Sequence, residues 1–481
     1  MLHNRVIRSA VSVLLFARIL LSYVWFGLVT QRRLPPGQEM RRRRLERLHE
    51  INARRLYKYF VLLKGVYIKI GQFLSTQAAL LPPAYLIEMV KMQDQNPVAQ
   101  ESAIRQRVEE EFGGPPEEVF QSFSFVPLAC ASIGQVHRAT LKDGREAVIK
   151  VKYPGIDAFF FADLKVIQMM IPWFIRILEY GLYRGRTGIN YITLIDEFVK
   201  YIGRELDYRN EAYNQKRMHE QLAGMQAKGM VYVPRLYTEY CRENVICMEY
   251  IEARKIVPWY VDPQVPSQKK DWVFRCMVEC LFFTIAYHGF FQADTHPGNF
   301  MVLDAAPHSP EPAATLVMLD FGCTKDFPEG FRAGVVQVIN GYLTKQYSQI
   351  TEALWEQGFR TKLQTRESFD LWVRQGIKIT DEILGFFRDG TDIIEHLRLN
   401  LAKMAAELWE LNEQHRIAAV PEHYAMLGRV LATAPVPLER HMPKVDFLPI
   451  AMTYVSVLAG KAQAEKRTRA SSGPVVDQPS V

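Results

Sequence analysis

Apolar and polar positions divide the chain into a helical beginning, a strand-rich middle and a largely helical remainder. From Arg41 to about Lys64, apolar residues recur at helical spacing among many basic ones, and a second helical stretch follows and ends at Leu81-Pro82-Pro83. We predict two further helices, over residues 83–93 and 102–112. The beginning of the chain is therefore predicted to be a helical extension in front of the strands.

Strand signals start near Ser124 and follow one another closely. Residues 123–128, 135–140 and 146–151 are short runs of strand character, and Asp143-Gly144 supplies a tight hairpin turn between the last two. We predict two more strands later in the chain, at residues 233–239 and 245–250.

Helical patterns surround these later strands and dominate the chain beyond Trp272. The segment 291–321 interrupts them with two short strands, at residues 300–303 and 315–319, which flank a Pro/Ala-rich loop. We also predict one or two apolar helices over residues 157–183 and a long amphipathic helix from Tyr191 to about Leu222. A strand-rich part followed by a helix-rich part predicts an α+β fold.

The first thirty residues combine an apolar stretch with arginines. Residues 11–30 are long enough to span a bilayer, but Arg18 interrupts them, and no acidic residue precedes Glu39. A spanning helix must carry Arg18 near its centre at a cost, an interfacial helix lets Arg18 reach the headgroups, and an Arg-rich organellar presequence is also compatible. We expect membrane association through this segment, peripheral or by a single span.

The overall composition is that of a globular protein, with 48% hydrophobic and 23% charged residues among 481. The net charge of +7 is unevenly spread, because the first fifty-odd residues hold a large share of the arginines. This favours an anionic membrane surface over nucleic acid, for which no binding signature is present. The six cysteines form no C-x-x-C pair, so we expect reduced thiols without a metal site.

Two short strings carry the candidate chemistry. Asp294-Thr295-His296-Pro297-Gly298-Asn299 places an Asp and an Asn five residues apart, and Asp320-Phe321-Gly322 places another Asp about twenty residues on. In a phosphoryl-transfer site of the kinase type, the first Asp faces the acceptor, while the Asn and the second Asp hold magnesium. Lying between a strand-rich and a helix-rich part, these strings predict MgATP binding by a two-lobed, protein-kinase-like fold.

Lys150 is the candidate phosphate-binding lysine, because Ala147-Val148-Ile149-Lys150 lies on the third predicted strand, where kinases place it. Glu205, Asp207 and Glu211 follow in the predicted amphipathic helix as candidate partners for this lysine. Two kinase features are absent from the sequence: a G-x-G-x-x-G between the first two strands, and an Ala-Pro-Glu after Asp320. The segment that positions peptide substrates is therefore predicted to be absent, which disfavours an ordinary protein kinase.

The chain resembles the UbiB/AarF-domain family of atypical kinases over roughly residues 40–340. Lys69-Ile70-Gly71-Gln72 fits the KxGQ signature of that family, and residues 127–139 fit its alanine-rich nucleotide loop. Further matches are Lys150 with Tyr153-Pro154-Gly155, Glu205-x-Asp207, and the string from Asp294 to Asn299. The resemblance implies a kinase-like fold whose helical N-terminal extension carries the KxGQ motif across the active site.

The resemblance also implies a role for each matching residue. Lys150 pairs with Glu211, Asp294 is catalytic, and Asn299 and Asp320 bind magnesium. The nucleotide is held by Lys150 and by the loop residues Ala129, Cys130, Ala131, Ser132, Ile133 and Gly134. The regulatory KxGQ residues Lys69, Gly71 and Gln72 enter the site, where Lys69 faces Glu205 and Asp207. ATP and Mg²⁺ are the implied cofactors.

Three positions depart from the family pattern. Gln292 stands where a His usually precedes the catalytic Asp, Thr295 replaces the common Pro after it, and Cys130 replaces an alanine or serine. Gln can still hydrogen-bond in the loop and Cys keeps the small volume, so we expect little loss. The C-terminal transmembrane hairpin of some relatives is not evident, because the apolar segment 447–460 is too short to span.

The expected function is that of a membrane-associated atypical kinase or ATPase in or supporting isoprenoid quinone biosynthesis of the ubiquinone type, or lipid homeostasis. The expected location is a bacterial inner membrane or an organellar membrane such as the mitochondrial one. Expected partners are an anionic membrane surface, quinone-precursor lipids and quinone-biosynthesis proteins. Two alternatives remain open: a non-catalytic, ATP-dependent regulator that binds a lipid or a partner, and a protein kinase.

The expected division of the chain follows from these patterns. It consists of a membrane-associating or targeting segment (1–40), the KxGQ extension (41–122), a kinase-like N-lobe with inserted helices (123–255), a helical C-lobe (256–467) and a flexible tail (468–481).

Overall fold

The computed structural model describes residues 5–30, 39–75, 82–92, 98–130, 133–181, 203, 206–304, 314–328, 330–389, 411, 415, 417–421, 423, 424, 427, 430 and 447–472. Contacts within the chain divide it into two compact units. The first unit comprises Met1–Ala212 and Leu236–Tyr250, and the second comprises Tyr213–Arg235 and Ile251–Val481.

The first unit begins with the predicted helical extension. Its helices are α1 (Arg5–Trp25, continued by a π-helical turn over Phe26–Thr30), α2 (Glu39–Leu63), α3 (Val66–Ser75), α4 (Pro83–Val90), α5 (Glu101–Phe112) and α6 (Pro116–Val119). The break between α2 and α3 lies at Lys64 and Gly65, which both have a positive φ, of 59° and 58°. Helix α5 ends at Gly113, which adopts the left-handed conformation and donates its N–H to the Glu109 carbonyl.

An antiparallel sheet follows, with the strand order β1-β2-β3-β5. Its strands are β1 (Ser122–Cys130), β2 (Gly134–Thr140), β3 (Glu146–Lys152) and β5 (Val245–Glu249), while β4 (Val231–Tyr232) belongs to the second unit. The edge strand β1 carries Pro127, where the register shifts because proline cannot donate to the ladder. The prediction of a strand over residues 233–239 is wrong: Pro234 interrupts backbone donation, and Thr238–Tyr240 forms a 3₁₀ turn.

Two helices complete the described part of this unit. Helix α7 (Ile156–Gly181) confirms the predicted apolar helix and contains Pro172. The predicted amphipathic helix is interrupted in front of α8 (Tyr208–Gln221): Gly203 is helical, but Leu206 lies in a turn and Asp207 precedes the first residue of α8. The carboxylate of Asp207 accepts the backbone N–H of Arg209, as an N-cap residue does, so the predicted helix does not run unbroken through this position.

The second unit contains two small sheets around the candidate metal ligands. One sheet has the order β4-β9-β8-β6, and the other pairs β10 with β7. The new strands are β6 (Arg254–Lys255), β7 (Phe290–Gln292), β8 (Phe300–Leu303), β9 (Thr315–Met318) and β10 (Thr324–Asp326). The predicted strands at 300–303 and 315–319 are therefore confirmed, and they pair antiparallel with Phe300 opposite Met318.

Helices form most of the remaining described residues of this unit. They are α9 (Ala223–Ala227), α10 (Ile256–Val261), α11 (Ser267–Phe283), α12 (Phe331–Leu343), α13 (Tyr347–Glu356), α14 (Arg366–Asp389) and α15 (Phe447–Ser472). The strands β11 (Arg360–Thr361) and β12 (Ile417–Ala419) pair antiparallel as a short two-stranded ladder. The core of this unit buries Trp259, Phe290 and Phe321. Helix α15 continues to Ser472, so the tail predicted from residue 468 begins in a helix.

Candidate active site

Lys150 lies on β3, in the interior of the sheet, opposite Val136 of β2 and Ile246 of β5. Its ammonium Nζ is 2.6 Å from Oε1 of Glu211 in α8, and both side chains are more than nine-tenths buried. The Tyr208 ring lies 5.3 Å from the same ammonium. A short, charge-assisted hydrogen bond between two buried charges fixes the position of the lysine head group.

The predicted nucleotide loop is shorter than the sequence suggested. Ala129 and Cys130 belong to β1 and pair with Val136 and Gln135, while Ala131 and Ser132 lie outside the described residues. The side chain of Ile133 is buried in the core, so only its backbone could meet a phosphate.

Gly134 is required for close packing. A Cβ at this position would lie 2.4 Å from the Val151 carbonyl oxygen and 2.5 Å from the Tyr208 hydroxyl. Any larger side chain would push β2 away from β3 or displace Tyr208, the first residue of the helix that carries Glu211.

The KxGQ motif lies in α3, where Lys69 is half-buried and Gly71 is buried. A Cβ on Gly71 would lie 2.1 Å from the sulfur of Met92, whose side chain is fully buried, so packing explains the glycine. The side chain of Gln72 and the whole of Glu205 lie outside the described residues.

Asp207, the second acid of the ExD motif, is half-buried and pairs with Arg209, with 3.0 Å between its Oδ1 and the guanidinium Nε. Burial alone would raise the pKa of Asp207. The hydrogen bonds from the Arg209 side chain and backbone N–H nevertheless hold that pKa below its usual range. The implied approach of Lys69 to this acid stays a prediction.

In the second unit, hydrogen bonds connect the loops that carry Asp294, Asn299 and Asp320. The Asn299 amide Nδ2 donates to the Asp294 carbonyl at 3.0 Å, and the Leu319 N–H donates to the Asn299 carbonyl at 2.8 Å. Residues Pro297–Asn299 form a 3₁₀ turn, which the His296 ring closes by accepting the Gly298 N–H. Pro297 and Gly298 therefore lie in a tight turn directly before Asn299.

Asp320 is exposed and adopts a left-handed backbone conformation, with φ of 57°. This region is uncommon for residues other than glycine, although Asp tolerates it better than most. Its Oδ1 accepts the Gly322 N–H at 3.1 Å, which turns the Asp-Phe-Gly segment sharply. The side chain therefore lies at a bend directly after β9.

The oxygen atoms of Asn299 and Asp320 suit a hard cation such as Mg²⁺, which binds one or two protein ligands and completes its shell with phosphates and water. Within the part of the chain that the structure describes, no group of three or more His, Cys, Asp or Glu residues could hold a metal ion. Asn299 and Asp320 together match the one or two protein ligands that Mg²⁺ takes beside substrate phosphates.

Two residues around Asp320 escaped the sequence-based site prediction. Asn214 donates a hydrogen bond from its Nδ2 to the Phe321 carbonyl at 3.1 Å. The sequence feature that could have identified it is its position three residues after Glu211. Gln292 was noted only as a departure, yet its amide bonds to the backbone beside Asp320.

One side of helix α1 packs against the rest of the first unit, and its other side exposes large apolar residues. Arg8 forms a buried ion pair with Asp163 of α7 and donates to the Leu63 carbonyl at 2.6 Å, and the Ser12 hydroxyl lies 2.6 Å from the Tyr67 hydroxyl. The exposed large apolar residues of this helix are Val6, Ile7, Val13, Leu14, Leu21 and Trp25, followed by Leu28 in the π-helical turn. Over Val6–Val29, it is the one described helix that is long and apolar enough to cross a membrane.

Comparison with known proteins adds a family match to this geometry. Residues 91–354, more than half of the chain, match the family described as ABC1 atypical kinase-like domain. The chain is 32% identical to the Arabidopsis thaliana protein "ACTIVITY OF BC1 COMPLEX KINASE 8, chloroplastic" over 309 residues, which cover 64% of this chain and 39% of that protein. It is also 32% identical to the "Probable protein kinase UbiB" of Aeromonas salmonicida over 303 residues, 62% of this chain and 53% of that one.

The chain spans only part of these curated relatives, from roughly two fifths to a half of their length. Among solved structures, Rv3197 of Mycobacterium tuberculosis in complex with erythromycin matches with a TM-score of 0.52 and 27% sequence identity. That match covers 82% of this chain and 93% of the other.

Proposed function

Because this chain belongs to the ABC1 atypical kinase-like family, with an α+β, kinase-like fold, we propose that it is a membrane-associated atypical kinase or ATPase that binds MgATP. The observation that carries the proposal is the buried Lys150–Glu211 ion pair, with 2.6 Å between the charged atoms. Burying two charges is costly, and kinases retain such a pair because it holds the lysine that contacts the α- and β-phosphates.

Lys150 supplies the positive charge for the phosphates in this proposal. Its Glu211 partner keeps the ammonium in one place, so that little rearrangement accompanies nucleotide binding. The end of β1 and the backbone of Ile133 and Gly134 would bring N–H groups toward the same phosphates. The pairing of Ala129 with Val136 and of Cys130 with Gln135, which holds the end of β1 against β2, supports this assignment.

Asn299 and Asp320 would hold magnesium, and Asp294 would orient the acceptor. Magnesium bound there would neutralise negative charge on the phosphate oxygens. The Asn299 amide nitrogen is engaged by the Asp294 carbonyl, so the amide oxygen is the atom that it can offer to a cation. The Asp294 carboxylate would accept a hydrogen bond from a hydroxyl group or a water molecule and hold its oxygen toward the phosphate.

ATP turnover by the purified full chain tests the enzymatic part. We expect Asp320→Asn to lower Mg²⁺-dependent ADP release by about 100-fold or more, as for the loss of other charged groups that stabilise a transition state. Asp326→Asn is the matched control, since it alters a solvent-exposed ion pair with Arg217. Unchanged turnover in Asp320→Asn would refute the assignment. Nucleotide binding by the wild-type protein without ADP release would favour the non-catalytic regulator.

The membrane part of the proposal assigns an interfacial position to α1. The buried contacts of Arg8 and Ser12 attach one side of the helix to the first unit, and a spanning arrangement would have to break them. Leu14, Arg18 and Trp25 are exposed and lie at i, i+4 and i+11, on one side of the helix. In an interfacial helix, apolar side chains enter the acyl boundary while the arginine reaches the headgroups.

Vesicle sedimentation tests this placement. We expect the full chain to bind vesicles that contain anionic lipid and to lose most binding when Leu14 and Trp25 are both changed to Ser, because these substitutions remove apolar contact area. Ile51→Ser, which alters an exposed apolar residue of α2, is the control. Equal binding by the double variant and the wild-type protein would contradict the interfacial position.

The pathway belongs to the same proposal. We assign the enzyme to isoprenoid quinone biosynthesis or its support, with quinone-precursor lipids and quinone-biosynthesis proteins as partners, because UbiB-type proteins are among its relatives. Turnover measured with and without phenolic quinone precursors in anionic vesicles tests this assignment. We expect the precursors to raise ADP release, and no response to any of them would contradict the lipid-substrate part.

A further inference from the structure

Gln292, at the end of β7, lies against the backbone of the candidate metal ligand. Its side chain is 3% exposed, and its Nε2 donates to two carbonyl oxygens, those of Leu319 at 2.8 Å and Asp320 at 2.7 Å. An amide nitrogen carries two hydrogens, so this one group serves both carbonyls on either side of the Asp320 Cα.

We propose that Gln292 is a positioning residue that keeps Asp320 in its left-handed conformation and thereby sets the affinity of the site for Mg²⁺. This inference rests on the proposed role of Asp320 as a magnesium ligand. It assigns Gln292 a function through the backbone of Asp320, without contact to the metal.

The carbonyl groups of Leu319 and Asp320 both face the Gln292 amide. Two carbonyl oxygens that converge on one point repel each other unless a donor lies between them, and the Gln292 amide is that donor. The left-handed φ of Asp320 is itself unfavourable for a residue with a Cβ, so the surroundings have to maintain it. Without the donor, rotation of the peptide groups beside Asp320 relieves both penalties and moves its carboxylate.

The strand that carries Gln292 is held firmly on the same segment. Gln292 pairs with Thr324 in the β7–β10 ladder, and the Ala293 N–H donates to the Cys323 carbonyl at 2.8 Å. The strand that carries the donor is therefore attached to the backbone that directly follows the Asp-Phe-Gly turn. A donor on a fixed strand can impose a conformation, whereas one on a mobile side chain would follow it.

The orientation of the amide is also determined. Exchanging its oxygen and nitrogen would place Oε1 against two carbonyl oxygens, so Nε2 has to face them. In the described residues, Oε1 has no hydrogen-bond partner, and Gln292 lines a cavity of about 20 Å³ with Thr284 and Met318. The cavity therefore leaves room for a different side chain at position 292. A substitution that removes the amide removes chiefly the two hydrogen bonds that Gln292 donates.

The test separates magnesium affinity from nucleotide affinity in the full chain. Fluorescent mant-ATP is titrated without magnesium, and Mg²⁺ is then titrated into the complex. We expect Gln292→Met, which keeps the length and lacks the donor, to raise the Mg²⁺ concentration at half-saturation by about tenfold, while magnesium-free affinity changes less than about twofold. Gln292→His restores an N–H donor, and we expect it to recover most of the loss.

Thr284→Val is the matched control. Thr284 lines the same cavity, but its hydroxyl donates to the carbonyl oxygens of Cys280 and Leu281 in α11, the helix that it directly follows, so we expect normal magnesium affinity. Should Gln292→Met fail to fold, Gln292→Asn carries the same test, because its shorter side chain withdraws the amide from the two carbonyls. Normal magnesium affinity in a folded Met or Asn variant refutes the inference, as does an equal loss of magnesium-free binding.

Different results would refute the metal-ligand role of Asp320 and the positioning role of Gln292. Wild-type protein that binds nucleotide without any response to Mg²⁺ refutes the proposed role of Asp320 and this inference together. Wild-type protein that responds to Mg²⁺, combined with unaffected Gln292 variants, refutes the positioning role alone.

Discussion

The Lys150–Glu211 ion pair allows a quantitative prediction from the described geometry. The side chains expose only 9% and 5% of their surfaces, and the charged atoms are 2.6 Å apart. Glu211→Gln keeps the size of the side chain but removes its charge, so the ammonium of Lys150 remains buried without its carboxylate partner. Buried pairs broken in this way typically lose about 3–5 kcal/mol of unfolding free energy.

A double-mutant cycle measures this loss. We expect Glu211→Gln and Lys150→Met each to lower the unfolding free energy by about 3 kcal/mol, because each breaks the buried ion pair and leaves the other charge in place. The double variant should lose clearly less than the sum of the two, because it buries no charge. Urea denaturation followed by circular dichroism gives the four values, and mant-ATP titration should show weaker binding by both single variants.

A control within the same strand makes the result specific. Glu146, also in β3, pairs with Arg138 at 2.9 Å, but both side chains are roughly half exposed. Water screens this pair, so Glu146→Gln should change stability little. Strictly additive losses in the Lys150–Glu211 cycle, or a Glu211→Gln variant as stable as the control, would show that the buried pair carries no interaction energy.

Three further predictions concern the first unit. Gly71→Ala should lower the unfolding free energy by about 1–2 kcal/mol, because the new methyl group overlaps the Met92 sulfur. Adding Met92→Ala should relieve part of this loss, and a double variant whose loss equals the sum of the two single losses would contradict the clash. Burial lowers the pKa of His49 to about 4, so the unfolded chain binds more protons and stability should fall as pH drops from 6.5 to 4; His49→Gln should flatten this part of the profile in urea titrations. Arg8→Met should loosen α1 measurably in hydrogen exchange, and Arg8→Met with Asp163→Leu should restore protection; equal loosening in both would exclude the ion pair as its cause.

The order of the helices and strands and the residue types of the site could be predicted from local sequence patterns. Apolar runs and the Asp143-Gly144 turn identified the strands around Lys150, since period and turn chemistry act over a few residues. The predicted strand at 233–239 was wrong for an equally local reason, because Pro234 has no N–H to donate to a ladder and Thr238–Tyr240 forms a 3₁₀ turn. The interruption in front of α8 depends on the cap that Asp207 forms with the backbone of Arg209, which helical periodicity does not reveal.

The residue types of the candidate site were a property of the sequence alone: a strand lysine, helix acids, Asp294, Asn299 and Asp320 in the order that phosphoryl transfer needs. The family resemblance implied that Glu211 is the acid that meets Lys150, and the tertiary structure shows that contact. Only the tertiary structure decided which packing contacts require Gly71 and Gly134, and that the Gln292 amide holds the backbone at Asp320. The physical reason is distance along the chain. Periodicity and motif spacing report interactions between near neighbours, whereas these contacts join residues between 17 and 74 positions apart, and folding alone brings them together.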